Sequence, residues 1–369
     1  MKAARKRFPV LSCILYGLTL VSLGLYIAFR LNASFADAFN ASVSQFLRHV
    51  LAKCTSIFPF SVAEWIILCT PVILAALIFG AIKYAKGSSR RMGGFLFRFF
   101  AAVCLILCLF VWTFAPGYAA TGIDKKLSLK RESVSETDLL RATLVLTEEV
   151  NELSKSVYQL ENGSSYMPYS MAELNEKLLT AYKDFAADTG VLTTYYSKVK
   201  PVFASEFLSY SHVTGIYAFP TGEANVNVDF PDYTLPFTMA HELAHQRGIA
   251  REDEANFVAY LVCMKSDDEY IRYSATLSLW EYMMNAMYTT NAEYYSLLLK
   301  IIAKTVQDEE NAYAAFYRKY ADNTLADVND FVNDTYLKSQ GAKEGNRSYN
   351  LVVDLAVAYF KNEGKIPVR

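Results

Sequence analysis

The chain has 369 residues, of which 53% are hydrophobic and 14% aromatic, and its mean hydropathy of +0.14 is too high for a purely soluble enzyme of this size. The net charge of −1 hides an asymmetry: residues 1–118 carry 12 Lys/Arg against 2 acids, and residues 119–369 carry 24 against 35. A basic membrane portion is therefore expected ahead of an acidic domain, and the missing basic footprint on the larger part argues against nucleic acid as a partner.

The basic cluster Lys2, Arg5, Lys6 and Arg7 is followed by the apolar run Pro9 to Phe29, long enough to span a ~30 Å hydrocarbon core as a helix. A signal peptide is the competing reading, since Ala36-Asp37-Ala38 offers a small-x-small cleavage site, but the run exceeds the usual apolar region of about 7 to 15 residues. Within residues 31–60, Phe35, Phe39, Val43, Leu47 and Leu51 recur at roughly helical spacing, which suits either an interfacial helix or one packed on its neighbours. Trp65 to Ile82 and Phe99 to Ala115 read as a second and a third span. Between them lie Lys83, Lys86, Arg90, Arg91 and Arg98, so the positive-inside rule delivers everything after residue 118 outside the cytoplasm; Lys125, Lys126, Lys130 and Arg131 pull weakly the other way.

The remainder suffices for one sizeable domain. Leu139, Leu140, Leu144, Leu146, Val150 and Leu153 mark a helix over Glu136 to Leu160, Asn162 to Ser165 a turn, and Met171 to Thr189 another helix. Ala224, Val226, Val228 and Phe230 alternate with Asn225, Asn227 and Asp229, a half-buried strand pattern. Beyond the stretch that follows it, helices are expected at 252–264, 270–288, 291–304, 309–320, 325–337 and 349–361. The six cysteines form neither a disulfide framework nor a CxxC pair.

His241-Glu242-Leu243-Ala244-His245 holds two of the chain's four histidines. On a helix the two imidazoles share one face and can reach one metal ion, while Glu242 is turned roughly 100° away and is free to act as general base on a water. This is the HExxH arrangement of zinc metallopeptidases. Gly248 ends the helix, and the step to Glu252 leaves room only for a tight connection, so the opening residues of the next helix fold back beside the histidines. Glu252, Asp253 and Glu254 stand there, as dipole-offsetting acids or as a source of the third ligand that a two-histidine site needs. Helix geometry favours Glu252 over Glu254, because Ala255, Asn256 and Ala259 share its face, whereas the bulkier Phe257, Val258 and Leu261 share that of Glu254.

Glu252, Ala255, Asn256 and Ala259 fit an E-x-x-[AS]-[DN]-x-x-[AG] pattern, in which the sequence resembles the gluzincin metallopeptidases. The resemblance implies Glu252 as third zinc ligand, Asn256 as the partner orienting a histidine, and two alanines permitting close helix packing. With Gly215-Ile216-Tyr217 and Thr221-Gly222-Glu223-Ala224-Asn225, the chain is also similar, over most of its length, to a bacterial membrane family known as domain of unknown function 3810. Related peptidases place a substrate-aligning edge strand where Asn225 to Phe230 lies; a buried structural strand is the alternative.

The resulting expectation is a mainly α chain: three transmembrane helices within 1–118, then a mostly helical, zincin-like α+β domain with a small sheet over 119–369. The implied activity is zinc-dependent hydrolysis of a peptide or protein substrate, with Zn2+ on His241, His245 and Glu252 and with Glu242 as base, in a bilayer-anchored, extracytoplasmic domain. An oxyanion stabiliser is needed, and His212, Tyr210, Tyr217 and Tyr260 qualify by residue type alone. The other class of reading is a non-catalytic membrane binding or scaffold protein with a structural or vestigial zinc site.

Overall fold

The apolar runs of the first third become helices in the computed structural model, which describes residues 9–87, 89–193, 195–321, 323–345 and 351–367. The basic cluster before Phe8 and the first residues of the helix expected at 349–361 lie outside the described residues. The chain divides into two units, one of Met1–Ala120 with Ala218–Gly222, the other of Thr121–Tyr217 with Glu223–Arg369.

In the first unit the longer helices are α1 (Val10–Leu31), α2 (Ala33–Phe39), α3 (Gln45–Thr55), α4 (Val62–Leu68), α5 (Thr70–Ala85) and α6 (Ser89–Thr113), with a π turn at Asn40–Ser44 and a single turn at Ala115–Ala119. Among the described residues, two unbroken helices, α1 and α6, are long and apolar enough to cross a membrane. The expected second span is instead the pair α4 and α5, bent by 49°. Pro71 in the first turn of α5 is the cause, since it has no N–H to continue the ladder and its ring crowds the preceding turn. Three unbroken spans are thus corrected to two, plus a bent pair that could form one more. Exposed apolar side chains such as Leu20, Val72 and Phe79 cover these helices, as contact with lipid requires.

α1 and α6 pack in parallel: Tyr16 donates to Phe97 O at 2.9 Å, and six residues on Ser22 meets Cys108 Sγ at 3.4 Å and accepts from Trp112 Nε1 at 2.8 Å. Such polar clips satisfy groups that lipid cannot. Residues 31–60 take the packed alternative. The Phe39 ring lies 5.0 Å from Phe29 and 5.9 Å from Trp112, and buried Arg48 donates to Asn40 Oδ1 at 2.8 Å and Thr113 O at 2.6 Å.

The second unit holds α7 (Glu136–Leu153), α8 (Met171–Thr189), β1 (Val199–Pro201), β2 (Gly215–Ala218), β3 (Glu223–Val226), α9 (Thr234–Gln246), α10 (Glu252–Cys263), α11 (Glu269–Thr290), α12 (Ala292–Ile301), α13 (Lys304–Arg318), α14 (Thr324–Gln340) and α15 (Val352–Asn362). Local chemistry sets several of these ends. Ser170 and Glu173 form a reciprocal capping box on α8, Gly190 closes it at φ +64°, and Asp268 caps α11. Leu146, Leu178, Leu243, Leu277 and Leu355, from five different helices, are fully buried in one core, each contributing about 1.5 to 3 kcal/mol of burial.

The sheet has the order β1-β3-β2, with β1 parallel to β3 in the register Val199↔Ala224. Two expectations for residues 224–230 change. The strand stops at Val226 because Asn227 Oδ1 accepts from Asp229 N–H at 3.0 Å and turns the chain, and β3 is buried on both faces as the central strand. Its polar side is covered by the one-turn helix Ser205–Tyr210: Asn227 Nδ2 donates to Ser209 Oγ at 3.1 Å, and Ser205 Oγ accepts from Val228 N–H at 3.0 Å. Lys200 and Glu223 add a buried ion pair of 2.6 Å. The edge positions belong to β1 and β2, and β3 takes the structural role.

Candidate metal centre

Every residue of α9 is buried, which an amphipathic stripe alone does not require. Among the groups fixing it, Tyr182 donates to Ala240 O at 2.5 Å, Tyr195 to Gln246 O at 2.6 Å, and Phe237 N–H to Ser274 Oγ at 3.1 Å. After Gln246 the Arg247 guanidinium lies 4.2 Å from the Tyr182 ring centroid, and Gly248 at φ +97° turns the chain toward α10. Ala240, Ala244, Ala255 and Ala259 are fully buried, which lets α9 and α10 approach closely.

His241 and His245 stand edge to face, ring centroids 4.5 Å apart, and each directs Nε2 to the same Glu252 Oε2 at 3.3 Å. These three side chains are the one group of His, Cys, Asp or Glu among the described residues that could hold a metal ion. His245 Nδ1 lies 2.7 Å from Ile249 O, which as the acceptor fixes a proton on Nδ1 and turns Nε2 toward Glu252. His241 Nδ1 is buried and finds no hydrogen-bond partner among the described residues. Asn256 lies beside the ring and donates through Nδ2 to Tyr282 Oη at 3.1 Å.

The donor chemistry fits a cation. Two imidazole nitrogens 3.3 Å from one carboxylate oxygen keep the separation, about 3.3 to 3.4 Å, of ligands at ~2.0 to 2.1 Å on a tetrahedral ion. Without one, protonation carries the electrostatics. Burial opposes charge on His245, but the Glu252 carboxylate outweighs it and raises the ring to about 9. Burial, aided by the neighbouring His245, lowers His241. Burial alone would raise Glu252, and the charge of His245 with hydrogen bonds from both rings instead holds it well below the usual carboxylate range.

Glu242 is buried, and burial lifts it to about 8 against the opposing influences of His245 and a hydrogen bond from the Tyr217 backbone N–H. Its Oε2 has no hydrogen-bond partner among the described residues. Glu254, two residues beyond Glu252, faces elsewhere: Oε1 accepts from Ile123 N–H at 3.0 Å and pairs with Arg251 at 2.8 Å, while Asp253 pairs with Arg131 at 2.9 Å.

Of the four candidate oxyanion stabilisers, three hold their side chains in other contacts. His212, at φ +56°, sits between Tyr317 Oη and Tyr320 O; Tyr210 packs edge-on to Tyr320; Tyr260 is sealed in the core against Phe360. Tyr217 contributes its backbone N–H. Sequence reasoning missed Tyr282, which lies on another helix with no spacing rule to point at it, and Gly215, whose signal was its presence in a quoted motif without a role. Surface hollows such as the ~300 Å³ one between α8 and the α10–α11 connection lie away from the trio.

No curated protein and no solved structure matches the chain. A family profile does, over residues 39–357, from α2 through the trio and into α15. That match covers well over half the sequence, and the chain belongs to the family described as protein of unknown function (DUF3810).

Proposed function

We propose that the chain is a membrane-anchored zinc-dependent metallopeptidase whose domain after Thr121 lies outside the cytoplasm. The observation that carries the reading is Glu242: a buried carboxylate with one oxygen unpartnered, next to two histidines and a glutamate converging on one point. A purely structural metal site has no use for such a group and commonly closes its fourth position with protein.

His241, His245 and Glu252 would hold the ion. Bound there, zinc supplies a Lewis acid for the scissile carbonyl and lowers the pKa of a water toward ~7. Ile249 O keeps His245 in the tautomer that presents Nε2, and Asn256 stands where it can do the same for His241. Glu242 takes the water proton on Oε2 while Tyr217 N–H steadies its other oxygen, and the same carboxyl then protonates the leaving amine. The substrate is a peptide bond, because this pairing of base and ligand set serves attack of water on an amide carbonyl.

The test is Glu242→Gln in the detergent-solubilised chain. Zinc should remain stoichiometric while cleavage, profiled across a proteome-derived peptide library, falls about 10²-fold or more. Unchanged cleavage would dismiss Glu242 as the base, and lost zinc would make it a ligand.

A further inference from the structure

Gly215 opens β2 where the strand passes over α9. A Cβ placed on it would come within 2.7 Å of Glu242 Oε1, 2.8 Å of Glu242 Cγ and 2.8 Å of Thr238 Cγ2. Contacts so short force a shift, and two of the three atoms that would have to give way belong to the proposed base. Along the same strand Ile216 is 45% exposed and Tyr217 is 9% exposed, so the absent side chain at 215 and the ring at 217 share the inward face. Tyr217 also donates its backbone N–H to Glu242. Since Oε2 has no partner among the described residues, Oε1 is the oxygen so held.

We infer that Gly215 is a positioning residue for Glu242. Lacking a side chain, it lets β2 come close enough to fix one carboxylate oxygen with a backbone donor and leave the other pointing free. The glycine is required by the carboxylate beneath it, since its backbone is not in the left-handed region. The inference rests on Glu242 as base, and a measurement independent of catalysis separates the two.

The experiment compares Gly215→Ala, Glu242→Ala and their double variant as detergent-solubilised full chains, by zinc content, thermal midpoint and hydrolysis of dye-quenched casein. Gly215→Ala should retain zinc and lose kcat about 10²-fold with KM little changed, as expected for a reacting group displaced by about 1 Å. Its midpoint should fall by roughly 2 to 10 °C, an overpacking cost, and that fall should shrink by half or more in the Glu242→Ala background. If Gly215→Ala does not fold, recovery of folding in the double variant supports the same contact. Adding Thr238→Ser, which removes only the methyl, should recover part of the midpoint but not kcat. An additive midpoint, lost zinc, unchanged kcat or full rescue by Thr238→Ser would each overturn the inference. Coupled midpoints in a wild type that holds zinc yet cleaves no casein would sink the peptidase reading for this substrate and leave the seat of Glu242 standing.

Discussion

Glu252 and Glu254 start the same helix two positions apart, and their surroundings divide the work between them. Glu252 receives both imidazole nitrogens, whereas Glu254 accepts the Ile123 N–H and the Arg251 guanidinium, holding the segment after Thr121 against α10. Glu252→Gln should therefore weaken zinc binding by at least the 10- to 100-fold typical of losing even a supporting partner. Glu254→Gln should leave affinity near wild type and lower the thermal midpoint instead. Chelator competition on both variants checks this, and the reverse order would hand the ligand role to Glu254. The trio was legible in the sequence because its geometry is local: His241 and His245 are one helical turn apart, and Gly248 forces the fold-back that brings Glu252 to them. Gly215 and Tyr282 were not, because they reach the site through strand and helix packing across 27 and 26 residues, which no periodicity encodes.

Helices were readable wherever an apolar stripe met a capping residue, and α8 follows its pattern from Met171 to Thr189. Failures came where a second layer overrode the pattern. Asn227 looks solvent-facing until the Ser205–Tyr210 helix covers it, Asn225 until its amide meets Ile216 O of β2, and Pro71 breaks a run that composition alone passes as one span. α13 begins at Lys304, five residues before the expected start, which brings Glu309 into its interior. There Glu309 is fully buried, accepts the Ser165 N–H at 2.9 Å and lies near Tyr273 Oη. Burial, only partly offset by these bonds, raises it to about 7. The sign follows from linkage: below the unfolded value of about 4.5 both states bind the proton, and between there and about 7 only the folded state keeps it. This group's contribution is therefore full at low pH and fades by roughly 1.4 kcal/mol per pH unit as pH rises through that window. Glu309→Gln mimics the protonated acid, so the variant should gain thermal midpoint over wild type at pH 8 and differ little at pH 4.5. Equal differences at both pH values would show that Glu309 titrates normally.

The proposed course of the chain through the membrane rests on how the first unit is packed. α1 and α6 run parallel, with Tyr16 at Phe97 and Ser22 at Cys108, and parallel helices joined by one connection require a return crossing between them. The bent pair α4–α5 is the apolar segment available for it. α3 agrees, since Arg48 binds Thr113 O and Thr55 Oγ1 donates to Thr221 O at 3.3 Å, both at or beyond the exit end of α6. In the proposed topology residues 33–61 therefore share a side with Thr113 and Thr221, which a chain crossing only at α1 and α6 would not allow. The proposed orientation takes that side from Lys83, Lys86, Arg90 and Arg91, which the positive-inside rule puts in the cytoplasm, and the basic residues Lys2, Arg5, Lys6 and Arg7 of the sequence point the same way. Cys54 at the exposed end of α3 reports directly on this. In a variant retaining it as the sole cysteine, a membrane-impermeant maleimide should label intact cells, and external protease should remove the domain after Thr121 from those same cells. Labelling of Cys54 only after permeabilisation, with the domain still shaved, would mean that the bent pair dips in and returns. Protection of both would reverse the orientation and make Lys125, Lys126, Lys130 and Arg131 the residues that set it.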